Sequence, residues 1–209
     1  ATLPLLLHLV RALAPPHGAT DPLAYQLALP RLYLLHHGLS FEPTITGALY
    51  TANMGLLYVV SLALRNGILA QLMHLSLAVA VCAGVFAFAR RYLSWQAGVF
   101  AAAIFSSMPV IIVFAPQGYI DIGLCFFQFT ALWAVANWAR EPGRRTLLLA
   151  AILTGLAMGV KPQGLATVLV GVLVLAIRRL GVDRDVRVAG RDIATFVGVA
   201  FLLILPWYA

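Results

Sequence analysis

Asp21, Asp121 and Lys161 are ionisable residues set in apolar sequence, each beside residues that shape a helix end. Asp21 opens the run Asp21-Pro22-Leu23-Ala24-Tyr25-Gln26-Leu27, just after His17-Gly18-Ala19-Thr20. Asp121 sits in Gly118-Tyr119-Ile120-Asp121-Ile122-Gly123, and Lys161 is flanked by Gly159, Pro162 and Gly164. A carboxylate can take a proton from an attacking hydroxyl. A lysine ammonium can stabilise a phosphate as it leaves. Two acids and a cation on one membrane face suit an anionic, lipid-linked substrate. Each residue also has a plainer reading. Asp21 before a proline is a common helix cap, Asp121 could complement a helix dipole, and Lys161 could reach to the interface along its own stem. Asp121 fits its plain reading least, because a carboxylate within an apolar register is costly without a task or a partner.

The elements that must carry these residues are membrane helices. The chain is 62% hydrophobic and 10% charged, against roughly 45–50% and 25% in soluble domains. Segments 68–89, 95–115, 120–138, 146–160, 165–177 and 193–208 are apolar enough to span, the shorter ones by borrowing flanking residues. Residues 3–13 read as the end of an earlier span that begins before residue 1. Trp95, Trp138, Trp207 and Tyr208 stand at segment ends, as interfacial anchors do. Cys82 and Cys125 fall inside apolar runs and read as small packing residues, and His8 and His74 as satisfied core histidines.

Ten of the fourteen basic residues lie in three gaps between spans: Arg90-Arg91, 140–145 and 178–191. Positive charge marks the cytoplasmic side. The connections 115–119 and 161–164, and everything from 15 to 66, then belong outside. The net charge of +7 is confined to these loops, so it orients the chain in a bilayer with anionic lipid and does not call for a nucleic-acid partner. The fold class is an all-α polytopic membrane protein. It reads as one transmembrane domain over 1–209, with a periplasmic loop at 15–66 and about six spans in 68–209.

That loop is too long for a turn. It holds two amphipathic candidates, 22–37 with Leu23, Leu27, Leu32 and Leu35 on its apolar side, and 43–64 with Tyr50, Asn53, Tyr58 and Ser61 along it. Both begin with a proline, Pro22 behind Asp21 and Pro43 behind Glu42. They are expected to lie in the outer interface. A spanning reading of 43–64 would put the arginine loops outside and is set aside. His36, His37 and Glu42 lie on this loop as candidates for a divalent ion, although adjacent exposed histidines are also ordinary polar surface.

At these residues a resemblance appears. The run from Asp21 to Leu34, then Gly118-Tyr119-Ile120-Asp121-Ile122-Gly123, then Gly155-Leu156-Ala157-Met158-Gly159-Val160-Lys161-Pro162-Gln163-Gly164, and the closing Pro206-Trp207-Tyr208 resemble bacterial family 39 glycosyltransferases. These are integral-membrane enzymes of the C type, related to protein O-mannosyltransferases and to aminoarabinose transferases of lipid A. The resemblance covers nearly the whole chain, and the order of the motifs is more specific than any one of them. It implies a C-type helix bundle in the bacterial inner membrane, with a long first periplasmic loop. It implies inverting transfer of a sugar from a polyprenyl-phosphate donor to a lipid, glycan or protein acceptor at the periplasmic face. Asp21 matches the family's loop aspartate and Asp121 its second acid, which makes both catalytic. Lys161 matches a lysine that contacts polyprenyl phosphate, and Tyr25, Tyr119 and Glu42 are expected to join it in binding substrate. The resemblance fixes no cofactor, although a divalent metal ion is compatible with it.

The sequence also departs from its relatives. Pro22 stands where mannosyltransferases carry a second acid, and Ala24 where aminoarabinose transferases carry an arginine. Gln26 replaces a frequent histidine, and Glu42-Pro43-Thr44 replaces a Lys-Pro-Pro motif. These changes bear on the sugar and the acceptor more than on the fold. Relatives continue with further helices, so the chain reads as an N-terminal membrane portion. The competing reading is a transporter or flippase for a lipid-linked or anionic substrate, which would use ionisable residues near the bilayer midplane. Asp21, Asp121 and Lys161 instead map to one outer face. The topology is testable by labelling cysteines introduced one at a time in intact cells. Residues in 15–66 should react with an impermeant reagent, whereas reaction at Ser94→Cys or Gly143→Cys would overturn the assignment.

Overall fold

The computed structural model describes residues 2–16, 21–45 and 51–207. His17, Gly18, Ala19, Thr20, Tyr50 and Tyr208 lie outside the described residues. The chain is an all-α polytopic membrane protein. It forms two compact units, residues 1–126 and 127–209.

The first unit holds α1 (Thr2–Ala12), a π turn at Pro22–Gln26, α2 (Ala28–Leu35), α3 (Asn53–Leu64), α4 (Gly67–Tyr92), α5 (Trp95–Ser107), α6 (Pro109–Phe114) and the start of α7 (Asp121–Arg140). Its core packs Ala12, Leu75, Ala78, Ile111, Ala115 and Ile122. The second unit holds the rest of α7, α8 (Arg144–Met158), a 3-10 turn at Pro162–Gly164, α9 (Leu165–Ala176) continued by π-helical Ile177–Val182, and α10 (Val186–Leu202). Its core is built on Val135, Trp138, Ala150, Ala151, Leu175, Phe196 and Ala200.

Among the described residues four helical stretches are long and apolar enough to cross a membrane: Gly67–Tyr92, Asp121–Arg140, Pro162–Val182 and Val186–Trp207. At most 33% of any spanning window is buried within the protein. The remaining faces, with side chains such as Val79, Leu169 and Leu173, are left for lipid.

The segment 95–115, expected as one span, is two helices. Met108 is extended at φ −60° and ψ 130°, because the ring of Pro109 disfavours the α region for the residue before it. The segment 146–160 forms α8, which starts at Arg144 and has 15 residues, roughly 22 Å of rise. The expected helix at 43–64 covers only Asn53–Leu64 among the described residues. Pro43 instead sits second in a turn closed by Ile45 N–H donating to the Glu42 carbonyl at 3.0 Å, a position its fixed φ favours. With 12 residues, α3 rises about 18 Å, short of a ~30 Å hydrocarbon core.

The expected helix at 22–37 does begin at Pro22, but the Leu27 N–H reaches the Pro22 carbonyl, five residues back, at 2.9 Å. The extra residue in this turn rotates α2 about its axis. Leu27, Leu29 and Pro30 are buried, whereas Leu23 and Leu35, expected on the apolar face, are exposed.

Trp138 is a further correction. It is 1% exposed rather than an interfacial anchor, and the Arg179 guanidinium lies over its ring at 5.0 Å. Arg179 in turn donates from Nε and Nη2 to Asp192 Oδ2 at 2.9 and 2.7 Å. Asp192 is 5% exposed. Losing one partner of a buried ion pair strands the other charge, at about 3–5 kcal/mol. Asp192→Ala should therefore lower stability by about 3 kcal/mol in detergent-solubilised protein, read as a fall in the thermal midpoint. An unchanged midpoint would show that the second unit does not depend on the pair.

Candidate functional site

The site in the first unit is organised by the connection between α6 and α7. Breaking a helix inside an apolar bundle exposes backbone groups that must find partners. His74, buried on α4, supplies two. Its Nε2 accepts from the Ile122 N–H at 3.2 Å, so the ring proton is on Nδ1, which donates to the Ala115 carbonyl at 3.3 Å. Tyr58, buried on α3, donates from its hydroxyl to the carbonyl of Tyr119. The Tyr119 ring stacks on Phe114 with centroids 4.3 Å apart. A Cβ on Gly123 would fall 2.5 Å from Met54 Sδ, so the missing side chain lets α7 approach α3. The connection is held at both ends and in the middle, and Asp121 emerges from it as the first residue of α7.

Asp21 occupies the position before the first helical residue, yet its side chain makes no cap hydrogen bond. The plain cap reading therefore fails on geometry. Its Oδ2 accepts from the Tyr25 hydroxyl at 3.0 Å, across the π turn. Turns of this kind recur at functional sites. Asp21 and Asp121 are both half-buried. The phenol of Tyr119 is held above its ordinary pKa, first by burial and then by the carboxylates of Asp21 and Asp121. One neutral phenol thus stands within electrostatic reach of both acids.

Next to Asp21, the side-chain oxygen and nitrogen of Gln26 are buried without a hydrogen-bond partner among the described residues. Gln26 lines a cavity of about 30 Å³ with Tyr25, Tyr33, Thr51 and Ile120, enough for one water or one hydroxyl. Leaving both amide atoms dry is costly, so the position suits a polar ligand group.

Glu42 lies 3.6 Å from His36 Nδ1, which also meets Ser40 Oγ at 3.1 Å. The Glu42 charge, after burial, raises the Tyr33 phenol. His37 has a different task. At φ 53° it is left-handed, and the Gly38 and His37 N–H groups donate to the carbonyls of Tyr33 and Leu34 at 3.0 and 3.4 Å. This pattern terminates α2. Among the described residues no three His, Cys, Asp or Glu side chains converge to hold a metal ion.

In the second unit, Lys161 precedes the 3-10 turn at Pro162–Gly164 in an extended conformation. Gln128 ties this turn down, donating to the Gln163 carbonyl at 3.3 Å and to Thr167 Oγ1 at 3.2 Å. A Cβ on Gly164 would lie 2.5 Å from the Ala157 carbonyl carbon and the Met158 nitrogen, so only glycine allows the chain to fold back this closely.

With this geometry, the comparisons with known proteins are decisive at the family level. The model of the dolichyl-phosphate-mannose-protein mannosyltransferase family matches residues 59–209. The chain belongs to this family. No curated protein and no solved structure matches it. Membership makes the chain a membrane glycosyltransferase of the kind that uses lipid-linked sugar. Tyr119, Asp121 and Lys161 lie within the matched stretch, whereas Asp21, Tyr25, His36, His37 and Glu42 precede it.

The sequence marks His74 as a satisfied core histidine, which its two hydrogen bonds bear out, but assigns Tyr58 and Gln26 no role at the site. The signal for His74 was present, since a histidine within a 26-residue apolar helix asks for a partner. Replacing it with Phe keeps the bulk and removes both hydrogen bonds. Stranding the Ala115 carbonyl and the Ile122 N–H should cost on the order of 2–4 kcal/mol, measured by unfolding in detergent. A variant as stable as the wild type would show that the connection holds without the clip.

Proposed function

We propose that the chain belongs to an inverting glycosyltransferase that uses a polyprenyl-phosphate sugar at the extracytoplasmic face of a bacterial inner membrane. The observation that carries this reading is that the charges of Asp21 and Asp121 both act on the Tyr119 phenol, in a chain of the mannosyltransferase family. In the reaction, Asp21 removes the proton from the acceptor hydroxyl or amine. The acceptor atom attacks the anomeric carbon from the side opposite the phosphate, the bond from that carbon to the phosphate oxygen breaks, and polyprenyl phosphate departs. A phosphate leaves readily, so a strong general acid is not needed. Asp121 orients the acceptor or the sugar. Lys161 binds the donor phosphate and stabilises its charge as it leaves. Tyr25 and Tyr119 flank the carboxylates and contact the sugar, Glu42 serves the substrate from the same loop, and Gln26 offers its amide to a hydroxyl.

An apolar cleft of about 660 Å³ in the first unit, lined by Leu75, Val79, Phe86, Val99 and Phe105 among others, has the chemistry to take part of an isoprenoid chain. The donor-binding and base roles are separable in kinetics. In the purified enzyme, Asp21→Asn should lower transfer by about 10²–10⁴-fold while donor binding is largely kept. Lys161→Ala should raise KM for the donor. Transfer by Asp21→Asn at the wild-type rate would remove Asp21 as the base.

A further inference from the structure

The second unit has a polar pocket that the glycosyl-transfer reading does not use. It encloses about 460 Å³ and is walled by Trp138, Gly143, Arg144, Leu147, Arg179 and Arg191, with Asp192 at its base. These residues come from the end of α7, the start of α8, the π-helical end of α9 and the start of α10. They gather at the arginine-bearing end of the unit's helices, the opposite end from the Lys161 turn. None of the residues proposed for catalysis lines it.

The pocket is built for negative charge. Asp192 is already shared between two guanidiniums, Arg179 on Oδ2 at 2.7 Å and Arg191 on Oδ1 at 3.2 Å. Asp183 is likewise shared by Arg178 and Arg179 at 2.9 and 2.8 Å. Among the lining residues three guanidiniums, Arg144, Arg179 and Arg191, stand against the one carboxylate of Asp192, an excess of positive charge at the pocket. The stacking of Arg179 on Trp138 holds one guanidinium in place before any ligand arrives.

A backbone element adds to this. The first helical bond of α8 runs from the Leu147 N–H to the Gly143 carbonyl at 3.0 Å, so the N–H groups of Arg144, Arg145 and Thr146 have no partner within the helix. Gly143 has no side chain to cap them. An uncapped helix start carries partial positive charge and favours phosphate. Leu147, Leu148 and Trp138 supply an apolar wall beside the charges.

We propose that this pocket binds a phosphate-ester anion, and that in the membrane its ligand is the headgroup of an anionic phospholipid. Arginine forks match phosphate oxygens in pairs, and basic pockets between membrane helices select such headgroups. The apolar wall would meet the glycerol and the first methylenes. Bound there, the lipid would neutralise the excess positive charge and tie α7, α8, α9 and α10 together at this end.

The test uses the purified full chain in phosphatidylcholine nanodiscs, with intrinsic tryptophan fluorescence as readout because Trp138 lines the pocket. Short-chain phosphatidylglycerol, short-chain phosphatidylcholine and inorganic phosphate are titrated separately. Arg144 is exposed and Arg191 keeps 70% of its side chain accessible, so Arg144→Ala and Arg191→Ala should fold, as checked by circular dichroism. Saturable binding of phosphatidylglycerol but not phosphatidylcholine, weakened about tenfold in each alanine variant and restored in Arg144→Lys, is the expected result. Millimolar inorganic phosphate that competes with equal effect would assign the site to free phosphate rather than lipid and overturn the headgroup assignment. Equal binding by wild type and both alanine variants, or no saturable response to either anion, would overturn the pocket itself.

Discussion

A helix bundle in lipid cannot leave backbone polar groups unpaired, and this chain interrupts its helices where its chemistry is proposed to lie. The interruptions persist because buried polar side chains close them. His74 bonds to both ends of the α6–α7 connection, and Tyr58 takes its middle. Gln71 does the same for the end of α1, donating to the Ala12 and Ala14 carbonyls at 3.0 and 2.7 Å. In the second unit Gln128 secures the Lys161 turn. These residues have no part in the proposed reaction, yet each holds a segment bearing a residue that does, or the end of a helix packed against one.

The same constraint accounts for how charge is distributed. Arg90 and Arg91 close α4, roughly 35 Å of helix away from Gly67 at its other end. Gly67 itself packs near Pro16 and Leu27, beside the turn that Asp21 begins. The first unit therefore has its Arg90-Arg91 pair at the far end of α4 from the turn that Asp21 begins. The second unit repeats the separation, with Lys161 at one end and the Arg179–Asp192–Arg191 cluster at the other. The clusters of charge lie toward helix ends, where water or headgroups can reach them.

Asp21 and Asp121 illustrate how a proposed site can be assembled from weak local signals. An aspartate before a proline and an aspartate at a helix start are both ordinary on their own. Asp21 leaves the cap unmade and accepts from Tyr25 instead, while Tyr119 stands near both carboxylates. That arrangement suits a base and an orienting acid around one substrate.

Hydropathy and charge alone determined that the chain is a polytopic helical membrane protein, that Arg140, Arg144 and Arg145 gather at one helix end with Arg178 to Arg191, and that Asp21, Asp121 and Lys161 are its exceptional residues. These are properties of composition and spacing, which solvent transfer reads directly. The break at Pro109 and the helix start at Pro22 are likewise local, since proline acts on its own neighbours. Features that depend on contacts far apart in sequence were decided only by the tertiary structure. The extra residue in the turn after Asp21 exchanged Leu23 for Leu29 as a buried residue. Packing against Arg179 drew Trp138 inward from its expected interface, and the clip formed by His74 joined residues 41 and 48 positions away. No periodicity encodes such pairings, because each joins groups on helices far apart in sequence that only packing brings together.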